Sequence, residues 1–374
     1  MKIVIDARLY GLEHAGLGRY VINLIRELEK IDKENSYTLL LRKKYMSSKN
    51  LPKDWEKVAL DHRHYSLAEQ IKLPKILKEL QPDLVHFPHF NVPLLYRGKY
   101  VVTIHDILMH KIKGKAATTL PPYKYALKRL GYKVIFKKAV HGSVKILVPS
   151  AAAKKDIIDY YKINEEKVIV TYEGFDQSIK PVDKTLKNLE IRFGIKTPFF
   201  LYVGNAYPHK NLRRLIEATV FLNENSGKDA MLAICTPKNI FSEKLQNIIN
   251  ELNAPEYVKI LGFVPDEEVA LLHRASAGFV YPSLLEGFGL QGLEAFSNGN
   301  ILLASDIPVF REVYGDKAIY FNPFDFSSIE NAMKLALEIT PSKRQKMISD
   351  SKSLLNKYSW SKLAQQTLEV YNSA

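Results

Sequence analysis

The sequence contains a single cysteine, Cys235, in 374 residues. One cysteine excludes an intrachain disulfide framework and a zinc site built from cysteines, and it suits a reducing compartment. No uninterrupted apolar run approaches the roughly 20 residues that a membrane-spanning helix needs. The short apolar run at the N-terminus is interrupted by Asp6 and Arg8, so it predicts a first β-strand rather than a signal peptide.

The composition is that of a folded, water-soluble protein. Hydrophobic residues make up 46% of the chain and charged residues 25%, which excludes a disordered or fibrous chain. The length exceeds the roughly 100–200 residues of one ordinary domain. We therefore expect two domains, each large enough to bury its own core.

Acidic residues are scarce in the first half of the chain. Residues 1–200 carry 37 Lys and Arg against 21 Asp and Glu, whereas residues 201–374 carry 17 against 19. Between Asp106 and Asp156 there is no acidic residue, although twelve Lys or Arg residues lie there. This asymmetry indicates an anionic partner such as nucleic acid, lipid headgroups or phosphorylated metabolites. Lysines that only keep this half soluble are the alternative.

Short β-branched or aromatic runs alternate with segments of helical period. Strands are predicted at 2–6, 37–41, 83–87, 100–104, 144–149, 167–172, 199–204, 231–235, 257–261, 277–281, 300–305 and 318–321. Helices are predicted near 17–30, 66–80, 121–141, 150–161 and 359–374. Strands that are apolar throughout predict sheets covered on both faces, and the β/α alternation predicts parallel, doubly wound sheets.

The segment 173–198 is polar and lysine-rich, and it is predicted to be the interdomain linker. The predicted domains are residues 1–178 and 179–358, with the helix 359–374 crossing back to the first domain. Two such α/β domains would place the carboxyl ends of two sheets across a cleft, where ligands of open α/β sheets bind. In the helix near 121–141, the apolar residues Tyr123, Leu127, Leu130 and Val134 share one sector, which is expected to face the core.

In the first half, two strand-to-helix turns carry candidate binding residues. Gly16 and Gly18 precede the first helix, where free N–H groups suit phosphate or sugar oxygens, although a plain glycine-rich turn has the same composition. His105 follows the strand 100–104 and could bond a substrate hydroxyl, although local capping would also explain it. His86 and His89 have a spacing that resembles a metal pair, but without a nearby cysteine they predict no metal site.

In the second half, one lysine turn is a candidate anion site. Asn205, His209 and Lys210 follow the strand 199–204 and precede a helix, so the lysine lies beside free helix N–H groups. The dipole at a helix N-terminus disfavours a cation there, and a cation in that place therefore indicates an anionic ligand. A solvated lysine is the alternative.

The strongest signal is the segment EGFGLQGLEA at 286–295, which follows the strand 277–281. Gly287 and Gly289 allow backbone N–H groups to point at a ligand. Glu286 lies in the turn and Glu294 lies on the helix eight residues later. The two carboxylates are therefore expected to have different tasks.

Together these segments resemble the retaining glycosyltransferases of family 4, which have the GT-B architecture of two Rossmann-like domains. The motif EGFGLPxLEA of that family is matched at 286–295. Further matching segments are GLGRY (16–20), His105-Asp106, VPSAAAKKDI (148–157), VTYEGFD (170–176), YVGNAYPHKNL (202–212) and SDIPVFREVYGDKAIYFNPFD (305–325). The resemblance spans nearly the whole chain.

The resemblance implies a role for each matched residue. Lys210 would bind the diphosphate of a nucleotide sugar, Glu286 the hydroxyls of the donor sugar, and Glu294 the ribose hydroxyls. His105 would contact the sugar at the site of transfer. The expected catalytic residues are thus Lys210, Glu286 and His105, and the expected donor-binding residues are Gly16, Gly18, Asn205, His209, Lys210, Val264, Gly287, Phe288, Gly289, Leu290 and Glu294.

Three single residues and one short segment depart from the family pattern. His209 stands where many members have arginine, Asn205 stands where many have a second arginine, and Gln291 replaces the proline after EGFGL. A weaker cationic clamp on the donor follows from the first two departures. The segment at 299–302 reads GNIL where the family usually has GTPV. Gln291 and this segment both lie at turn or helix positions that are expected to tolerate the change.

The resemblance implies a retaining hexosyltransferase that needs neither a metal nor another cofactor. YPHKNL is similar to the form found in mannosyltransferases, so GDP-mannose is the first expected donor, with a UDP- or ADP-sugar as the alternative. The acceptor would be a glycan or a lipid-linked hydroxyl in bacterial surface polysaccharide synthesis. The enzyme is expected in the cytoplasm, peripherally bound to an anionic membrane surface through residues 107–155.

Other classes of protein fit the sequence less well. A sugar phosphorylase would need a pyridoxal lysine in the second domain, which nothing here signals, and a nucleotide-sugar epimerase is a further alternative on a related fold. A non-catalytic nucleic-acid-binding protein would explain the basic first half. It would not explain the EGFG turn, and no aromatic-basic binding motif is present.

Overall fold

The computed structural model describes residues 1–62, 64–112, 121–175 and 185–374. It contains two compact units, of which unit 1 comprises Met1–Gly174 and Tyr358–Ala374 and unit 2 comprises Phe175–Lys357. The predicted boundary between residues 178 and 179 lies outside the described residues.

Strands and helices alternate along both units. The strands are β1 (Lys2–Ile5), β2 (Ser36–Leu41), β3 (Glu56–Ala59), β4 (Leu84–Phe87), β5 (Tyr100–Thr103), β6 (Lys145–Val148), β7 (Val168–Val170), β8 (Phe199–Val203), β9 (Met231–Cys235), β10 (Val258–Gly262), β11 (Gly278–Tyr281), β12 (Leu302–Ser305) and β13 (Ile319–Phe321). The helices are α1 (Ala15–Ile31), α2 (Leu67–Leu80), α3 (Leu108–Lys111), α4 (Pro122–Gly142), α5 (Ala151–Tyr161), α6 (Leu186–Phe193), α7 (Leu212–Ser226), α8 (Ile240–Glu251), α9 (Asp266–Ala275), α10 (Leu290–Ser297), α11 (Pro308–Tyr314), α12 (Phe326–Glu338), α13 (Pro341–Leu355) and α14 (Trp360–Asn372).

Each unit is built on a parallel sheet. The strand order is β3-β2-β1-β4-β5-β6-β7 in unit 1 and β10-β9-β8-β11-β12-β13 in unit 2. The order reverses between β1 and β4 in the first sheet and between β8 and β11 in the second. In open α/β sheets, ligands bind beyond the carboxyl ends of the strands at such reversal points.

The sheet of unit 1 is covered on both faces, as predicted from its apolar strands. Ile3 and Ile5 of β1 belong to one buried cluster, whereas Val4 belongs to the cluster on the opposite face. The first cluster also contains Trp360 and Tyr371 of α14, which packs against α1. The C-terminal helix therefore completes the core of unit 1.

All twelve predicted strands are present, and the described residues contain one further strand that was not predicted. β3 pairs only with β2 at the edge of the sheet, and its sequence EKVA is short and half polar. An edge strand needs no continuous apolar run, because one side and part of its faces meet water. Hydrophobic patterning therefore does not reveal it.

The prediction that residues 173–198 form a linker is wrong for Leu186–Phe193, which form α6. The Thr185 hydroxyl accepts from the Asn188 N–H, the Asn188 side chain accepts from the Thr185 N–H, and Gly194 ends the helix in the left-handed conformation. The helix fully buries only Leu189. A short helix that buries one residue shows no clear repeat of hydrophobic residues along its sequence. The sequence of α6 therefore indicated a linker.

The predicted orientation of the apolar stripe on α4 is also wrong. Its four residues are exposed, with Tyr123 at 70%, Leu127 at 74%, Leu130 at 61% and Val134 at 47%. The side that packs on unit 1 is the opposite one, where Tyr125, Arg129 and Tyr132 are half-buried and Phe136, Ala139 and Val140 are buried. α4 carries two apolar sides, so composition alone did not identify the inner one. Among the described residues, no helix is long and apolar enough to cross a bilayer.

Candidate active site

Two turns of unit 2 meet at the reversal point of its sheet. One follows β8 and the other follows β11, and these strands are neighbours in the sheet. The turns are joined by a backbone hydrogen bond in which the Leu284 N–H donates to the His209 carbonyl at 2.8 Å. The turns bring together two side chains 76 positions apart: Lys210 Nζ donates to Glu286 Oε1 at 2.5 Å.

The Lys210–Glu286 pair is largely withdrawn from water. Each side chain is 12% exposed. Burial by itself would raise the pKa of the Glu286 carboxyl, but the nearby Lys210 ammonium outweighs burial and holds that pKa below its ordinary value. Lys210 Nζ lies over the Tyr281 ring, 5.8 Å from its centroid, and makes a cation–π contact. The Glu286 carboxyl is therefore ionised at neutral pH.

His209 adds no charge to this site. Burial, and secondly the Lys210 ammonium, lower the pKa of His209 to about 4, so its imidazole is neutral at pH 7. Asn205 presents its backbone carbonyl to the Tyr202 hydroxyl at 2.9 Å. At these two positions of the family pattern, the chain thus has an uncharged ring and an amide, and the turn relies on Lys210 for positive charge.

The glycine-rich turn after β11 depends on close packing at Gly289. Gly289 has a φ of +104°, and a Cβ atom there would lie 2.3 Å from the Tyr314 hydroxyl oxygen. The Tyr314 hydroxyl donates to the Gly289 carbonyl. Only glycine fits this backbone conformation and this space, so the turn holds its backbone in one arrangement.

The remaining predicted donor-binding residues of unit 2 belong to the turn after β11, to α10, or, in the case of Val264, to the turn after the edge strand β10. Gly287 is half-buried, Phe288 and Leu290 are buried, and Leu290 begins α10. Glu294 is half-buried on α10. After β10, the Val264 side chain is buried, whereas the Phe263 ring beside it is 77% exposed. A ligand at that turn would therefore meet backbone atoms and Phe263 rather than the Val264 side chain.

His105 of unit 1 lies at the carboxyl end of β5 and bonds on both sides of its ring. Its Nδ1 lies 3.0 Å from Glu173 Oε1, and its Nε2 lies 3.1 Å from the Pro88 carbonyl oxygen. The Tyr20 ring packs against it at 4.8 Å between centroids, with the planes 89° apart. Burial by itself would lower the pKa of His105, but the bond and the charge of Glu173 outweigh burial and raise it.

A chain of buried hydrogen bonds links α14 to the residues around His105. The Tyr371 hydroxyl lies 2.5 Å from His86 Nδ1, and His86 Nε2 lies 2.8 Å from Thr103 Oγ1. The Thr103 hydroxyl is in turn 2.9 Å from the Tyr20 hydroxyl. His86 thus uses both ring nitrogens within the protein core. Among the described residues, no group of three or more His, Cys, Asp or Glu side chains is placed to hold a metal ion.

Gly16 and Gly18, the two predicted donor-binding glycines of unit 1, have different surroundings. Both lie in the first turn of α1 rather than in a loop before it. A Cβ at Gly18 would lie 1.9 Å from the Gly11 carbonyl oxygen, whereas a Cβ at Gly16 would meet no atom within 4 Å. Gly18 therefore permits a close backbone approach within unit 1, and Gly16 presents an open backbone.

Sequence reasoning did not identify a buried charged cluster at the reversal point of unit 1. The Arg8 guanidinium donates to Asp6 at 2.7 and 2.5 Å and lies 2.7 Å from Glu69 Oε1, which also accepts from Asn91 at 2.7 Å. Asp6 and Arg8 follow β1 directly, and charged residues at the carboxyl end of a strand are a pattern that could have marked them as candidates. Their partners Glu69 and Asn91 come from distant segments that no local pattern connects to them.

Comparison with known proteins identifies the family. The family model described as Glycosyltransferase Family 4 matches residues 14–178, and the one described as Glycosyl transferases group 1 matches residues 184–354. The two matches cover both units, and the chain belongs to the family 4 glycosyltransferases. It is an enzyme of the transferase class with the GT-B fold, as the sequence resemblance predicted.

Relatives include two bacterial mannosyltransferases. The O-antigen chain mannosyltransferase RfbU of Salmonella typhimurium is 28% identical over 274 residues, covering 72% of this chain and 69% of its own. The O-antigen chain mannosyltransferase B of Escherichia coli is 24% identical over 395 aligned positions, covering 99% of each chain. The crystal structure of HepE from Anabaena in complex with UDP-glucose superposes with a TM-score of 0.74 at 17% identity, covering 100% of both chains.

Proposed function

We propose that the enzyme transfers mannose from GDP-mannose to a hydroxyl group of a glycan or lipid-linked acceptor, with retention of the anomeric configuration and without a metal ion. The Lys210–Glu286 pair at the reversal point of unit 2 carries this proposal. The mannosyltransferase names of the relatives RfbU and O-antigen mannosyltransferase B support the sugar.

The chemistry of the pair suits a nucleoside diphosphate sugar. The departing diphosphate gains negative charge, and the Lys210 ammonium can stabilise it in a site largely closed to water. The Glu286 carboxylate accepts hydrogen bonds and so suits the sugar hydroxyls, and Glu294 on α10 suits the ribose hydroxyls. For His105 we propose the contact with the transferred sugar that the sequence resemblance implies. No carboxylate is proposed as a covalent nucleophile.

Donor identity is tested by thermal shift of the protein with GDP, UDP and ADP and with their sugars. We expect stabilisation by GDP and GDP-mannose, because bound ligand favours the folded state. Stabilisation by UDP- or ADP-compounds alone would replace GDP-mannose by the alternative donors. No stabilisation by any nucleotide would contradict the proposed donor site.

Stereochemistry and metal dependence need separate measurements. Proton NMR of the first product formed from an α-linked donor is expected to show an α-linkage, and a β-product would overturn retention. Activity is expected to survive EDTA. A complete loss that Mg²⁺ restores would contradict the metal-independent reaction.

We further propose that unit 1 binds an anionic membrane surface, in the cytoplasm, where a lipid-linked acceptor would be present. α4 supports this proposal by its geometry. The exposed stripe defined by Tyr123, Leu127, Leu130 and Val134 lies opposite the inner side of the helix, and exposed lysines at 124, 128, 133 and 137 flank it. An apolar stripe bordered by lysines is the pattern of a helix that lies in a membrane interface.

Arg129 belongs to the fold rather than to this surface. Its guanidinium donates to the Met109 and Ile112 carbonyls, both at 3.2 Å, and to the Tyr125 hydroxyl at 2.9 Å. A test of membrane binding therefore leaves Arg129 unchanged. Lys113 and Lys115 of the same basic segment lie outside the described residues.

Flotation with vesicles that contain anionic lipid tests the surface. Each basic residue near an anionic leaflet contributes about 1 kcal/mol, so replacing the lysines at 124, 128, 133 and 137 by Glu is expected to weaken binding by about 1000-fold or more at low salt. The matched control replaces four exposed lysines of unit 2, at 238, 244, 343 and 346, by Glu. Equal flotation of the two variants, or no flotation of the parent, would contradict the proposal.

The apolar stripe is tested at high salt, which shortens the Debye length and suppresses the charge contribution. Leu127→Ser/Leu130→Ser is expected to abolish the binding that remains at high salt. Because both side chains are exposed, the variant should unfold at the parent's temperature. Unchanged high-salt binding would indicate that α4 contacts the surface through its lysines without inserting the stripe.

A further inference from the structure

His105 faces a hydrogen-bond acceptor on each side of its ring. The Pro88 carbonyl oxygen lies 3.1 Å from Nε2 and can only accept, so Nε2 carries a proton. Glu173 Oε1 lies 3.0 Å from Nδ1 and, as a carboxylate, also only accepts, so Nδ1 carries the second proton. A ring that carries both protons is an imidazolium cation.

We infer that Glu173 is a positioning residue that keeps His105 as an imidazolium, so that His105 provides a fixed positive charge to the reaction rather than a base. That His105 carries the charge is inferred from the geometry alone. That the reaction uses this charge rests on the proposed function.

The main chain holds Glu173 in place through the C-terminal helix. A Cβ atom at the next residue, Gly174, would lie 2.2 Å from the Trp360 backbone nitrogen. Such close backbone packing requires glycine and leaves little room for the segment after β7 to move. Glu173 itself is 7% exposed, so water does not compete strongly for its bond to His105.

The other groups around His105 permit the charge. The Asp106 carboxylate acts on it favourably. The neighbouring His86 and His89 repel a charge only when protonated, and burial lowers the pKa of each to about 3, so both are neutral at pH 7. The Tyr20 hydroxyl bonds to Thr103 and is not ionised. Glu173 is thus the group in direct contact that balances the imidazolium.

A fixed cation has a definite use in the proposed reaction. A preorganised positive charge stabilises negative charge that develops on a reacting group, and it does so without reorganisation of its surroundings. Because both ring protons are already bonded to Pro88 and Glu173, His105 neither removes nor delivers a proton. The structure therefore separates the role of His105 from general base catalysis.

Histidine-selective ¹⁵N NMR of the full chain without ligand tests the protonation state, with His105→Asn used for assignment. The parent is expected to show two protonated ring nitrogens at pH 7.5. Glu173→Gln is expected to show a neutral ring at that pH, because an uncharged amide no longer balances the cation. Glu165→Gln, at an exposed site of the same segment, is the control and should match the parent.

A neutral ring in the parent, or an unchanged imidazolium in Glu173→Gln, would overturn the inference. Glu173→Asp keeps the negative charge and is expected to restore the imidazolium in part, which distinguishes loss of charge from loss of folding. Because the protein carries no donor in this measurement, the result stands or falls apart from the proposed function.

The kinetic consequence is measured with the transferase assay. In Glu173→Gln, the alkaline limb of kcat/KM is expected to move to about pH 6.5, the ordinary histidine value, or below it, because burial is then unopposed. The expected loss at pH 8 is about 30-fold or more, and it narrows below pH 6. A uniform loss at every pH would contradict the charge role. If NMR shows the doubly protonated ring but the enzyme turns over no donor, the proposed function is contradicted. The inference that His105 is an imidazolium is then still supported.

Discussion

Lys210 Nζ lies 2.5 Å from Glu286 Oε1, and the two residues come from turns after neighbouring strands of the same sheet. The pair links the lysine turn to the glycine-rich turn before any ligand is present. A bound diphosphate would have to share the ammonium with the carboxylate. Under the proposed function, the affinity for the donor would therefore depend on both residues together rather than on the lysine alone.

Replacing Lys210 tests this relationship. Lys210→Ala removes the ammonium and leaves a largely buried carboxylate without its partner, so GDP binding is expected to weaken by about 10- to 100-fold, as a charge-assisted bond of about 1.5–3 kcal/mol implies. Isothermal titration calorimetry measures the change. Lys238→Ala, at an exposed site of the same unit, is the control. Parent-like GDP affinity in Lys210→Ala would contradict the role of Lys210.

The neutral ring of His209 predicts a gain of affinity on substitution. His209→Arg adds a permanent cation beside Lys210, and we expect donor binding to tighten by about tenfold at pH 7, the effect of one charge-assisted bond. Because the pKa of His209 is about 4, the parent ring gains its own charge only as the pH falls through that value. The advantage of arginine should therefore narrow near pH 4. An equal advantage at pH 7 and pH 4 would show that charge is not the cause.

The packing of Gly289 predicts a large loss of stability. Gly289→Ala forces a Cβ into the space of the Tyr314 hydroxyl at a φ of +104°, and we expect a loss of about 2–4 kcal/mol, since overpacking and backbone strain add. Thermal unfolding measures it. Gly131→Ala, where a Cβ on α4 would meet no atom within 4 Å, is the contrasting variant and is expected to stabilise by up to about 1 kcal/mol. Equal unfolding temperatures would contradict this account.

The buried bond between Tyr371 and His86 predicts that α14 stabilises the sheet of unit 1. Tyr371→Phe leaves His86 Nδ1 buried without its partner, which is expected to cost about 1–3 kcal/mol. Hydrogen exchange of the amides in β4, β5 and α14 should increase together. Tyr160→Phe, at a half-exposed site, should leave exchange unchanged. Protection of β4 and β5 identical to the parent would mean that the chain of bonds does not stabilise the sheet.

Much of the fold was predictable because burial on both faces makes parallel strands apolar throughout. The runs at 231–235 and 100–104 stand out from their polar surroundings and form β9 and β5. β3 and α6 escaped prediction because an edge strand and a short capped helix bury few side chains. On α4, a second apolar side towards solvent has the same composition as a core-facing side.

The sequence by itself determined the chemical types at the candidate site and their places after strands: Lys210 after β8, Glu286 after β11 and His105 after β5. Only the tertiary structure decided which of them pair, because contacts such as Lys210–Glu286 and His105–Glu173 join segments that are far apart in the chain. Strand order sets those contacts, and strand order follows from how the helices pack on each sheet. The protonation states follow in turn, since a carboxylate within 3.0 Å of His105 Nδ1 raises its pKa, whereas burial beside the Lys210 ammonium lowers that of His209.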